Sequence, residues 1–258
     1  TKNMNTLKAI EYTINPPPPH MVGDGFRVHS FFPGGRLIDK KRMSPFFLLD
    51  YGAKVDFTPS AEPRGVGVHP HAGFETVTIA YHGKIAHHDS AGNHGIIGEG
   101  DVQWMTAGSG LLHKEYHEEG FSKAGGLFQM VQLWVNLPAA HKKTKPKYQE
   151  ITHPQMGRHI LDDGKSFIEV IAGTYQETKG PAFTFSPMEV YNARLQKNAT
   201  ARISLPAHYN TGMLVIEGNV EINGSNVATD HFVLFRNEGE EIQLKAAENS
   251  IVLILSGE

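Results

Sequence analysis

The 258-residue sequence predicts an all-β protein, and three observations carry that prediction. Short apolar stretches rich in β-branched and aromatic residues recur, with turn signals about every eight to twelve residues. Proline and glycine bound most of these stretches. Apolar residues at helical spacing over a useful length are nearly absent. This rhythm belongs to a sandwich or barrel, whereas strands alternating with long helical patterns would have indicated a parallel α/β sheet.

Taken in order, residues 6–14 read as a short strand ended by Pro16-Pro17-Pro18-Pro19, since a proline run suits neither a central strand nor a helix interior. Residues 26–32 and 46–50 are further strand-like runs. Between residues 65 and 136 the strands come quickly, with 75–81, 102–106 and 127–137 the most apolar. Around residues 138–154 the composition shifts: Lys142, Lys143, Lys145 and Lys147 surround Pro146 with little to bury, which marks a linker. Strands then resume at 168–172, 190–195, 201–205, 213–216, 220–222, 231–235, 241–244 and 250–255. The expectation is two β-domains in tandem, residues 1–140 and 141–258. A faint repeat supports it, because Tyr81-His82-Gly83-Lys84-Ile85 resembles Ile216-Glu217-Gly218-Asn219-Val220. Carried along without gaps, that offset places Ser204, Pro206 and Asn210 where the first half has His69, His71 and Glu75.

A hydrophobic content of 40% with 20% charged residues is that of a soluble protein with a proper core. The net charge of −3 leaves no electrostatic footprint for nucleic acid or an anionic membrane. With no cysteine, disulfides, thiolate-bound zinc and iron–sulfur clusters are excluded. Residues 1–11 lack the apolar centre of a signal peptide, and no apolar run is long enough to span a membrane, so a cytoplasmic location is expected.

Eight of the fifteen histidines fall between His69 and His117. Two short units stand out, His69-Pro70-His71 and His113-Lys114-Glu115. Two-residue spacing puts both side chains of each unit on one face of a strand. Between the units, Ala107-Gly108-Ser109-Gly110 reads as a tight turn that returns the chain. Three imidazoles and a carboxylate converging on a point suit a divalent transition metal such as iron, manganese, nickel, copper or zinc. Glu75 continues the face of His71 and is expected to point into the same interior. It could be a fifth ligand, an acid–base group or, as favoured here, a residue that orients a ligand histidine. His29, His153, His159, His208 and His231 read as structural residues, and His82, His87, His88, His94 and His117 as loop or surface residues. Trp104 and Trp134 read as core or cavity wall.

Several stretches resemble the signatures of the pirin family: 67–78 (GVHPHAGFETVT), 100–110 (GDVQWMTAGSG), Leu112-His113-Lys114-Glu115, Gln132-Leu133-Trp134-Val135-Asn136-Leu137 and Pro45-Phe46-Phe47-Leu48-Leu49-Asp50. The resemblance covers nearly all of the first half and thins in the second. It implies a bicupin, two jelly-roll β-barrels with metal only in the N-terminal one. It also implies that His69, His71, His113 and Glu115 are the ligands of one Fe(II) per chain, other divalent transition metals being possible. Quercetin 2,3-dioxygenase activity would follow, with a flavonol-like substrate and O₂, release of carbon monoxide, and Glu115 or Glu75 as the base. The family also contains regulators, so the alternative is a metal- or redox-dependent binding protein with a protein partner that no motif specifies. Members usually continue past the last barrel strand into an arm that packs back on the first domain, whereas this sequence stops at Glu258, which puts closure of the cavity in question.

Overall fold

In a computed structural model of the chain, residues 6–35, 37–39 and 41–258 are described. They divide into two compact units. The first comprises Pro17–Lys41 and Pro45–Gln155; the second comprises Thr1–Pro16, Arg42–Ser44 and Met156–Glu258. The expected division at residue 140 is therefore displaced at both ends. Lys147–Ile151 is a strand of the first unit, antiparallel to Val102–Thr106. Ile10–Ile14 belongs to the second, paired with Phe232–Phe235. The lysine-rich composition of residues 142–147 hid the alternation of Tyr148, Gln149, Glu150 and Ile151. Within it Ile151 is buried, and the Tyr148 ring stacks on that of His87.

Each unit is built on a pair of antiparallel sheets, and the second adds the short hairpin Thr174–Tyr175 with Thr178–Lys179. In the first, the large sheet runs in the order Lys147–Ile151, Val102–Thr106, Phe74–His82, Gly126–Asn136, Phe46–Phe57, Phe26–Phe32 and His20–Val22. The smaller sheet runs Gly65–His71, Leu111–His117, Ile85–Asp89 and His94–Ile97. The second unit repeats this plan. Its large sheet runs Ile10–Ile14, Phe232–Phe235, Asn210–Glu217, Ser250–Gly257, Met188–Leu195, Phe167–Ala172 and Gly157–Ile160. Its small sheet runs Thr200–Ser204, Glu241–Ala246, Val220–Ile222 and Ser225–Val227.

Alternation along these strands sends one set of side chains into the space between the two sheets of a unit. In the second unit that space is filled by Val170, Tyr191, Met213, Ile242, Leu244 and Ile254 with their apolar neighbours, all nearly inaccessible. The repeated turn holds as well: Gly83 and Gly218 both adopt positive φ, at 91° and 78°, in the matching hairpins. One α-helix, Glu119–Ala124, lies after the His113 strand, and Glu118 caps it by accepting the backbone N–H groups of Gly120 and Phe121. Among the described residues no helix is long and apolar enough to cross a membrane.

Candidate metal centre

The strands Gly65–His71 and Leu111–His117 pair so that His69 sits directly opposite His113, with His71 opposite Leu111. The turn between the unit's two sheets depends on glycine. Gly108 has φ +55°, and a Cβ there would lie 2.0 Å from the Thr144 carbonyl oxygen. The result is a cluster in which one ligand atom from each of His69, His71 and His113 lies within 4.8 Å of the others. Their ring centroids are 4.3–4.9 Å apart. Glu115 is outside this tight group but lines the same cavity.

The nitrogens are prepared for a cation. The pairing of the two strands slips between His113 and Glu115, so that Glu115 faces Val66, and this bulge lies beside Gly67. His69 Nδ1–H donates to the Gly67 carbonyl at 2.7 Å, which leaves the Nε2 lone pair free. Both nitrogens of His113 are buried without a hydrogen-bond partner, an arrangement that is costly unless something else satisfies them. Burial lowers the His71 pKa to about 4, with the neighbouring His69 adding to the effect. Burial, then the charges of His69 and His71, lowers that of His113 to about 3. Both rings are therefore neutral, metal-binding bases at physiological pH. Burial pushes the Glu115 carboxyl up, opposed by a hydrogen bond from Gln132 and by the nearby His69. Gln132 Nε2 donates to Glu115 Oε2 at 3.2 Å. This donor set fits a divalent transition metal.

A cavity of about 560 Å³ opens beside the imidazoles, walled by Phe74 and Trp134 among others. The Trp134 ring lies 5.4 Å from that of His71. A row of polar residues crosses the large sheet: Ser30 faces Asp50, Asp50 faces Gln132, Gln132 faces Thr78, Thr78 faces Gln103, and Gln103 faces Glu150. Asp50 and Gln132 both reach the cavity.

The pirin family profile matches residues 25–135, and the pirin C-terminal cupin domain profile matches residues 190–258. The chain belongs to the pirin family. A Pseudomonas aeruginosa protein named "Putative quercetin 2,3-dioxygenase" is 44% identical over 93% of this chain and 83% of its own length. A crystal structure of quercetin 2,3-dioxygenase from Acinetobacter baumannii, also 44% identical, superposes with a TM-score of 0.92, covering 98% of this chain and 88% of that one. An Escherichia coli pirin in complex with nickel(II) shares the fold at 22% identity, with a TM-score of 0.72 over 95% of this chain and 97% of that one. The two units are thus the two cupin domains of a pirin, and three converging histidines mark one of them as suited to metal.

Within the pirin barrel, three sequence expectations need correction. Glu75 does not line the cavity. Gly73, at φ +81°, breaks the strand between His71 and Phe74, so the alternation restarts with Phe74 on the His71 side. Glu75 falls on the opposite face of the sheet, fully buried, accepting the Thr106 hydroxyl at 2.6 Å. Burial raises its pKa, and the Thr106 bond opposes the shift. His87, expected on the surface, is 2% exposed and lies directly across from Glu115 on the neighbouring strand. His117, also expected on the surface, is fully buried, with Nε2–H donating to the Gly25 carbonyl at 2.7 Å among Phe26, Phe57 and Phe128. Strict alternation from His113 through Glu115 to His117 was the signal available for that residue. Asp50 and the partnership of Gln132 with Glu115 needed the strand register, which one sequence does not show. Of the remaining expectations, Trp104 is core and Trp134 is cavity wall. His208 is exposed and pairs with Glu258, 3.0 Å away.

Proposed function

We propose that the chain is a metal-dependent dioxygenase acting on flavonol-type substrates, quercetin being the test compound. The observation that carries the reading is the convergence of His69, His71 and His113 beside an aromatic-lined cavity that His69 and His71 help to wall. The naming of its 44%-identical relatives as quercetin 2,3-dioxygenases supports it. In this reading His69, His71 and His113 hold one ion per chain, Fe(II) in the native protein, with Glu115 as fourth ligand. When bound, the metal supplies Lewis acidity that lowers the pKa of a substrate hydroxyl, together with access to O₂ chemistry. The protein's own contribution is positional. Phe74 and Trp134, packed on each other, offer one apolar wall for a planar ring to lie against and exclude water from it. Gln132 Nε2–H orients the Glu115 carboxylate, which would take the substrate hydroxyl proton. Glu75, sealed on the other face of the sheet, takes no proton from the cavity.

The test is aerobic incubation of the iron-loaded chain with quercetin, following loss of flavonol absorbance and release of carbon monoxide. Turnover in the wild type and none in His113→Ala supports the enzyme. A fully loaded but inert protein refutes it and leaves the second reading, a metal-dependent regulatory binding protein. The observation favouring that reading is the second barrel, kept intact with an apolar filling.

A further inference from the structure

The cavity beside the imidazoles has one apolar side and one polar edge. Phe74 and Trp134 lie with ring centroids 4.8 Å apart at 36°, and Val22, Leu48 and Val66 complete the apolar wall. Asp50 and Gln132 stand opposite each other on adjacent strands and form the polar edge. The Ser30 hydroxyl donates to Asp50 Oδ1 at 2.5 Å. Among the described residues no protein donor reaches Asp50 Oδ2. Gln132 directs its amide N–H to Glu115, which leaves its carbonyl oxygen as an acceptor. The polar edge therefore offers acceptors and asks for donors. Burial raises the Asp50 pKa, opposed by the Ser30 bond and by the charge of nearby His20. A cationic ligand group would be repelled by an ion held at the imidazoles, so a neutral hydroxyl is the better match.

We propose that Asp50 is a specificity-determining residue, its Oδ2 accepting a hydrogen bond from a hydroxyl of a planar aromatic ligand lodged against Phe74 and Trp134. The inference rests on the flavonol reading above and deepens it: the preferred substrates are polyhydroxylated, and hydroxyls beyond the reacting one contribute to affinity through Asp50. Nothing in the sequence singled this residue out, because its importance comes from its place in the row from Ser30 to Glu150.

The experiment measures binding to the iron-loaded protein under anaerobic conditions, by quenching of tryptophan fluorescence. Two probes are compared: quercetin, and 3-hydroxyflavone, which keeps the ring system and the 3-hydroxyl but lacks the other four hydroxyls. The wild type should prefer quercetin roughly ten- to a hundredfold, the worth of a hydrogen bond to a charged group. Asp50→Leu should bring that preference close to unity while leaving metal content and 3-hydroxyflavone affinity unchanged. Asp50→Asn, closer in shape and able to report if the leucine variant does not fold, should reduce the preference at least severalfold. A wild-type preference retained in either folded variant overturns the assignment of Asp50, as does equal binding of both probes by the wild type; the flavonol reading survives either result. If the wild type binds neither probe, the flavonol reading and the assignment fall together.

Discussion

The two barrels share one strand plan and are filled with opposite chemistry. In the first, the row across the large sheet reads Ser30, Asp50, Gln132, Thr78, Gln103 and Glu150. The matching row of the second, counted from the shared glycine turn, reads Val170, Tyr191, Ile254, Met213, Val233 and Thr13. On the small sheets, His69 opposite His113 corresponds to Ile203 opposite Ile242. The gapless offset that placed Ser204 at the His69 position was one residue out; Ile203 is the inward residue, and it is buried. Each apolar side chain fully buried in the second barrel contributes about 1.5–3 kcal/mol. The first barrel forgoes much of that in exchange for a set of polar groups that must satisfy one another or a bound ion. One barrel is built to be stable, and its sibling to hold something.

Removing the central pair separates the two roles most sharply. His113→Ala should take metal content from about one ion per chain to almost none, measured by elemental analysis after dialysis. Ile242→Ala, at the matching place, should leave metal at one per chain and cost about 2–5 kcal/mol in chemical denaturation. Metal loss in the second variant would mean that the barrels are not independent in function.

Smaller effects should separate the two carboxylates. Glu115→Gln is expected to weaken metal retention about ten- to a hundredfold. Glu75→Gln should leave retention unchanged, since Glu75 faces away from the cavity; the reverse pattern would show that the ligand set is misassigned.

Exchanging fillings is the next step down. Ile254→Gln buries an amide among aliphatic neighbours and should cost about 2–5 kcal/mol, with metal untouched. Gln132→Leu should cost less, about 1–3 kcal/mol, as Glu115 loses its donor. It should also loosen the metal, and equal stability losses without metal loss would count against the polar row as a working unit.

The gentlest test is acid. In the unfolded chain His71 and His113 take protons near pH 6.5, whereas in the folded chain they do so only near 4 and 3. The unfolded state therefore binds more protons across that interval, and stability of the metal-free protein should fall as pH drops from about 6.5 toward 3. Urea midpoints that stay flat from pH 7 to pH 5 in the metal-free wild type, or that fall equally in a His71→Phe, His113→Phe variant, would contradict this.

Much of this difference could be read in the sequence, and the reason is local. His69, His71, His113 and Glu115 announce themselves through two-residue spacing, a property of a single strand. The strand runs at Phe26–Phe32, Val102–Thr106 and Val220–Ile222 match the structure residue for residue. What could not be read depends on partners far along the chain. Glu75 was misplaced because a positive φ at Gly73 reverses the side-chain parity, and nothing in the sequence says which glycines do so. His87 is buried because Tyr148, sixty residues on, stacks upon it in a strand disguised by lysines.

The exchange of edge strands has a consequence for how the chain is made. Lys147–Ile151 pairs with a strand some forty residues earlier, so the first barrel's sheet can close soon after its last strand leaves the ribosome. Ile10 pairs with Phe235, which is synthesised more than two hundred residues later. At roughly 5–20 residues per second the opening strand waits on the order of 10–45 s for its partner. Its alternating Ile10, Tyr12 and Ile14 are then an unpaired edge in search of a sheet. The run Pro16-Pro17-Pro18-Pro19 follows directly, and proline cannot extend a ladder of hydrogen bonds. The strand accordingly stops at Ile14, and the edge that awaits Phe232–Phe235 is only five residues long.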